Sequence, residues 1–508
     1  MTQTIPAKKN FFNQNVDLMN GPIFKSLFIF MLPIFVSNLF QQLYNTVDTM
    51  IVGNVLGDTA LAAIGSCGSI YELLVGFGIG IGNGLAIVAA RSYGAQDEDL
   101  LKKTVAGSLV IGFLSSLCIT LAGLVGLHPL LVLLDTPAEI LEEAYSYILI
   151  IDVGVLVMFA YNLCAGLLRA IGNSFMPLIF LLISSGLNVA LDLVFIAVVG
   201  MGVKGAAVAT VISQGVSVVL CIFYVLRKTR VLVPERKHFQ VGRKLYWDLF
   251  SQSISMGLMS SIVSAGSVVL QYGINGLGTL VIAGHTAARK MFAFTDMPLI
   301  AMANAGSTFV SQNYGANHPD RVRKGMREIY LYSVVVAVLA VLLMNVGAEW
   351  MVKLISGSSE AVVLENGAKY LIWNAPFYAV LGVLLSTRYA LQSLGQKVLP
   401  LFSSVIEFVG KILFVLLFIP PLCLRCRHPL RAHHLVLYDH RAGVGLPVRP
   451  VCVPEKSEKL RIKRKKSAAN GSAFLLRESE FYSAEYPKLL TKASMCWPAL
   501  HRGHSRES

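Results

Sequence analysis

Apolar runs at 104–127, 144–168, 174–203, 205–226, 254–284 and 330–348 hold at most one charged residue each. About 18 such residues suffice to cross the roughly 30 Å hydrocarbon layer as a helix. None of the runs shows the two-residue alternation of a barrel strand. The chain therefore reads as an all-α polytopic membrane protein. Composition agrees, with 55% of the 508 residues hydrophobic and 14% charged, against about 25% charged in soluble domains. The opening segment, MTQTIPAKKNFFNQNVDLMNG, is polar and lacks a cleavable-signal pattern. The eight cysteines show no spacing that implies a disulfide framework.

Eleven spans are expected, near 24–50, 59–90, 104–127, 140–168, 174–197, 204–226, 246–274, 279–311, 326–347, 361–387 and 397–420. Basic residues fall in the N-terminal segment and in alternate loops: Arg91, Lys102 and Lys103, then Arg227 to Lys244, then Arg321 to Arg327, with Arg388 and Lys397 following the tenth span. The intervening loops carry one Lys at most. The positive-inside rule then places the N-terminus and these loops in the cytoplasm, and the chain in the cell membrane.

The sequence also repeats. AARSYGAQDEDLLKK (89–103) matches VSQNYGANHPDRVRK (310–324) at a shift of 221, and RAIGNSFMPL (169–178) matches LQSLGQKVLP (391–400). Two copies that run in the same direction are parallel repeats. Such repeats rock about a central site to give alternating access. The expected organisation is a cytoplasmic segment 1–23, an N-terminal lobe 24–226, an inter-lobe loop 227–245, a C-terminal lobe 246–420 and a basic tail 421–508.

Ionisable groups inside a span cost about 2.5–3.5 kcal/mol on insertion scales, so each needs a reason. Asn38, Gln41, Asn45 and Asp48 step by three, four and three along the first span, forming one helix stripe bordered by Tyr44. Ser184, Asn188 and Asp192 form a second stripe on the fifth span. The fourth span adds Tyr161 and Asn162, and the sixth adds Thr210 and Ser213. Two carboxylates with amide and hydroxyl oxygens are able to ligate a small monovalent cation, and the same pair is able to hold a proton. The plainer reading is hydrogen-bonded glue between helices. Glue suffices for Asn45, Ser184 and Ser213, but it does not require the carboxylates of Asp48 and Asp192.

VDTMIVGNVLGDTALAAIG, GFGIGIGNGLAIVAARSYGA and GLLRAIGNSFMPL, each echoed in the second half, resemble the multidrug and toxic-compound extrusion (MATE) family in its prokaryotic branch. The resemblance covers about residues 20 to 420. It implies two six-helix lobes around a central cavity and cation-coupled export of organic, mainly cationic compounds. It also implies a cation site at Asp48, Asn162, Asn188, Asp192 and Thr210, with Gln41, Tyr44 and Tyr161 in the cavity beside it. The coupling ion is H+ or Na+, no other cofactor or metal is implied, and the chain is expected to act as a monomer on small molecules in the bilayer, without nucleic acid. It is not expected to be an enzyme: no Walker lysine motif is present, and GFGIGIGNG lies inside an apolar span with no strand before it.

The spans matching helices seven and ten carry no acid, so coupling is assigned to the first lobe. On the eleventh span Glu407 and Lys411 are either an i,i+4 ion pair or substrate-cavity residues. Arg289, Lys290 and Asp296 are ambiguous in the same way. Asp152 and Glu72 are read as lying near the outer interface, with no role. Two other functions stay open: a flippase for lipid-linked saccharides, and an inactive truncated transporter.

The second copy departs from the first after VLLFIP (415–420), where no twelfth span follows. Residues 421–508 hold 17 of the 43 Lys and Arg and only 7 acids, giving +10 of the chain's +14 net charge. Eleven spans would put this basic tail outside, against the bias of every earlier loop. The expectation is that it is read in a shifted frame and is disordered, rather than forming a lipid-binding tail or a zinc site at Cys423 and Cys426. Resequencing the gene checks this: an intact frame that still encodes the tail ends the idea.

Overall fold

The computed structural model describes residues 15–134, 136–275 and 279–426, and two short strands at 435–438 and 445–448. The chain divides into two compact units, Met1–Pro450 and Val451–Ser508, and every described residue belongs to the first. Lipid offers backbone groups no hydrogen-bond partner, so a spanning chain must satisfy them within itself. Long helices are the result: α1 Ile23–Leu56, α2 Asp58–Gly94, α3 Glu98–Leu133, α4 Ala138–Val153, α5 Val155–Ala170, α6 Phe175–Asp192, α7 Val203–Lys228, α8 Arg243–Asn275, α9 Thr279–Gly315, α10 Pro319–Ser356, α11 Ala361–Asn374, α12 Tyr378–Ser393 and α13 Val398–Cys426. Leu435–Tyr438 pairs antiparallel with Gly445–Val448. Both strands fall within the expected basic tail, most of which lies outside the described residues.

These helices account for all eleven expected spans. α4 and α5 are one span bent by 44° at Gly154, and α11 with α12 is another, broken by a short 3-10 turn at Ala375–Phe377 that contains Pro376. One span departs from the rest: α9 has 37 residues but is not apolar enough to stand in lipid alone. Packing explains this. α9 is covered by α1, α2, α10, α11 and α12, so many of its polar side chains, among them His285, Asp296, Gln312 and Asn313, are buried against protein. By contrast, α3 and α10 present apolar side chains outward. Val125 is 80% exposed and Val346, its equivalent under the 221-residue shift, is 91% exposed.

The first half (α1–α7) builds one core around Leu85, Phe159 and Leu168 and another around Ile70, Ile148 and Ile151. The second half builds its own around Phe292, Met344, Tyr370 and Leu381. The halves meet where small residues let backbones touch. On α2, Gly80 and Gly84 lie against Gly257 and Ser253 of α8, where an added Cβ would sit 2.7 and 2.6 Å from backbone atoms. At the ends of α2 and α9, a Cβ on Gly94 would be 2.0 Å from the Gln312 carbonyl, and one on Gly315 would be 2.1 Å from the Arg91 carbonyl.

The same face, which carries the basic loops, is closed by polar contacts. Arg91 Nη2 bonds Asp248 Oδ2 at 3.1 Å, and Gln312 Nε2 donates to the Ala170 carbonyl at 2.7 Å. The N-terminal segment straps both halves, with the Val16 amide on the Gly172 carbonyl and the Leu18 carbonyl accepting from Asn313 and Arg321. Leu27, Phe30, Met31 and Ile34 of α1 pack with Ala301, Met302 and Ala305 of α9 behind this strap.

Gly94→Ala is expected to lower the melting temperature in detergent by an amount equivalent to about 1–3 kcal/mol, the usual penalty for overpacking. Gly126→Ala is the control, because nothing lies within 4 Å of a Cβ there. It should leave the melting temperature unchanged or raise it slightly.

Candidate functional site

Asp48 lies in the half of α1 remote from the strap, and Asp192 is the last residue of α6, which packs along α1. After Asp192 the helix widens into a π turn, Leu193–Val198, with the Val199 amide reaching back to the Val194 carbonyl. Such turns are rare and occur often at functional sites. The two carboxyl groups approach closely enough to interact directly. Their geometry is nonetheless not that of a well-formed hydrogen bond. Asp48 Oδ1, both carboxyl oxygens of Asp192 and Oδ1 of Asn188 are buried without a hydrogen-bond partner.

Asn188 stands one turn before Asp192 and donates from Nδ2 to Thr210 Oγ1 of α7 across 3.5 Å, a long contact. Asn188 and Asp192 are 2% and 0% exposed. Four buried acceptor oxygens from three side chains therefore gather without donors, a donor set suited to a small cation or a shared proton. Among the described residues no group of three His, Cys, Asp or Glu side chains forms a metal site.

The other expected site residues divide. Tyr44 lies beside Gln41 of its own helix and Gln214 of α7. Asn162 is half-buried, and its Nδ2 donates to its own helix at the Met158 carbonyl, 2.8 Å away. Tyr161 is buried in the first-half core, where its hydroxyl ties α5 to α6 through the Pro177 carbonyl at 3.2 Å. Ser184 and Ser213 bond carbonyls of their own helices and not a neighbouring one. Two tyrosines escaped the sequence reading. Tyr147 of α4 lies within electrostatic range of Asp48 and Asp192, and Tyr71 of α2 within range of Asp48 and Tyr44.

In the second half, Glu407 and Lys411 are paired, Lys411 Nζ to Glu407 Oε1 at 2.7 Å. Arg388 joins them, with Nη1 3.0 Å from Glu407 Oε2. The sequence put Arg388 in a loop after the tenth span, but it lies inside α12 and is 5% exposed. Arg289 donates to Gln271 at 3.3 Å, Lys290 is exposed and Asp296 is buried. Asp152 also differs from expectation. It is 0% exposed, enclosed by protein, and both its carboxyl oxygens lack a hydrogen-bond partner among the described residues. Gly123 of α3 makes room for it, since a Cβ there would sit 2.3 Å from the carboxyl atoms.

The sequence profile described as MatE matches residues 33–194 and again 256–417. The chain belongs to the MatE family. The two matched segments of this MatE protein are offset by 223 residues, in keeping with the internal repeat. The first contains Asp48, Asn162, Asn188 and Asp192, and the second contains Arg388, Glu407 and Lys411. A Bacillus subtilis protein, "Probable multidrug resistance protein YpnP", is 28% identical over 396 residues, 77% of this chain and 87% of that protein. "Multidrug export protein MepA" of Staphylococcus aureus is 23% identical over 58% of this chain and 66% of its own length.

Two solved structures share the fold at 22% identity. One is an outward-facing conformation of a multidrug resistance MATE family transporter of the MOP superfamily, with a TM-score of 0.73 over 81% of this chain and 92% of that one. The other is a MOP superfamily transporter from Pyrococcus furiosus whose binding pocket has reverse polarity, suggesting a different function, with a TM-score of 0.74 over 80% and 92%. MatE members are membrane transporters rather than enzymes.

Gly123→Ala is expected to destabilise this MatE protein by about 1–3 kcal/mol through the clash with Asp152. Adding Asp152→Ala to the same chain should recover most of that loss. Melting curves of the two variants check it, and equal melting temperatures would remove the proposed contact.

Proposed function

We propose that this protein is a secondary antiporter of the cell membrane that exports organic, mainly cationic compounds in exchange for inward H+ or Na+. The observation that carries the reading is the set of donor-free oxygens on Asp48, Asn188 and Asp192, enclosed between α1 and α6. The coupling ion enters from the outer side, is held by the two carboxylates with Asn188 and Thr210 beside them, and is released to the cytoplasm after the lobes rock. An ion drives that motion only through a difference in its affinity for the two conformations.

The closed basic face, read as cytoplasmic from its Lys and Arg, is consistent with a site that faces outward in this conformation. The multidrug export named for MepA supports the substrate class. A second reading, a lipid-linked saccharide flippase, is favoured by the cations of the second half and disfavoured by the acidic first-half site.

Asp48→Asn and Asp192→Asn are each expected to abolish gradient-driven ethidium efflux while expression and melting temperature stay near those of the parent. Proteoliposomes carrying either a pH or a sodium gradient identify the ion. Undiminished efflux by either variant would remove the assignment.

A further inference from the structure

The second half contains buried charge that the cation site does not use. Arg388, Glu407 and Lys411 are 5%, 5% and 0% exposed. Glu407 gives one oxygen to each cation, Oε2 to Arg388 and Oε1 to Lys411. A single carboxylate thus divides its charge between two neighbours, and a cationic ligand would have to displace one of them to reach it. Arg388 also donates from Nε and Nη2 to Ser403 Oγ, at 3.0 and 2.9 Å. Guanidinium has five N–H donors in a fork that suits oxyanions. Three are engaged here, and two are left over. Arg388 lines a cavity of about 230 Å³ between α8, α9, α12 and α13, whose other walls include Met259, Val263, Leu385, Tyr389, Ser264 and Glu407 itself, the carboxylate that the two cations already hold. Asp296, one turn from the lining residue Ile300 on α9, is not part of its wall.

We propose that this cavity binds the oxyanion group, carboxylate or phosphate, of an amphiphilic organic molecule. Arg388 supplies the counter-charge, and the apolar wall with Tyr389 takes the body. The ligand becomes a substrate class of the pump only on the antiporter reading above, but its binding does not depend on that reading. The two halves then have opposite tastes: donor-free oxygens in the first, spare N–H donors in the second.

The test uses the full chain in phosphatidylcholine nanodiscs, titrated by fluorescence with dansylaminoundecanoate and with its methyl ester. The acid is expected to bind about tenfold tighter than the ester, the scale of one charge-assisted contact. Arg388→Gln should remove that difference by weakening the acid alone, and ester binding in the same sample reports a folded cavity. Glu407→Gln should tighten acid binding, because it removes the carboxylate that Arg388 pairs with and that faces the cavity. This variant decides the matter if Arg388→Gln does not fold. Asp48→Asn should leave acid binding unchanged even where it abolishes efflux, which separates failure of the exchanger reading from failure of this one. Displacement of the acid by short-chain phosphatidylglycerol identifies a lipid headgroup as the source, and its absence identifies a free amphiphile. Either result keeps the proposal. Equal binding of acid and ester, an acid preference that survives Arg388→Gln, or unchanged or weaker acid binding by Glu407→Gln overturns it.

Discussion

A carboxylate enclosed among membrane helices must be neutralised by a proton, a metal ion or a fixed cation, because lipid offers it no water. Much of this protein's organisation follows from how it meets that demand. In the first half, Asp48 and Asp192 have no fixed cation among their described contacts, and the oxygens around them lack donors. On the proposed antiporter reading, their neutralising partner is the exchangeable coupling ion. In the second half, Glu407 is held by Arg388 and Lys411, which are covalently part of the chain. On that reading one half loads and unloads charge, while the other holds its carboxylate with fixed cations.

The surrounding architecture keeps the exchangeable site away from the seal. Contacts between the halves gather on the basic face, through the glycine seams of α2, the Arg91–Asp248 pair and the strap at Val16 and Leu18. Asp48 lies 14 to 21 residues further along α1 than Leu27 to Ile34, which pack against α9, and at 1.5 Å per residue that is on the order of 20–30 Å of helix. Between them runs α1, which packs against α6 in its own half and α9 in the other.

Much of this was legible in the sequence. A helix covers each of the eleven expected spans, ten of them long and apolar enough to cross a membrane among the described residues, and the acids of the first and fifth spans came together. What the sequence hid depended on neighbours. Arg388 read as a loop residue because a charge was taken to end the apolar run, and its partner Glu407 lies 19 residues away on another helix. Asp152 read as interfacial because spacing does not reveal that Gly123 of α3 leaves a space its size. Tyr147 gave no signal at all, since one tyrosine in an apolar helix looks like any other core residue. α9 was marginal by hydropathy because the five helices that shield it from lipid are not visible in its own composition.

The paired glycines at the ends of α2 and α9 carry a further consequence. Under the internal repeat Gly94 corresponds to Gly315 and Arg91 to Gln312, so the contact of Gly94 with the Gln312 carbonyl and that of Gly315 with the Arg91 carbonyl are symmetry images of one another. Both contacts lie on the same pair of helix ends, so a movement of α2 away from α9 there strains both together. On the antiporter reading, the tightest part of the seam thus acts as one latch with two reciprocal halves.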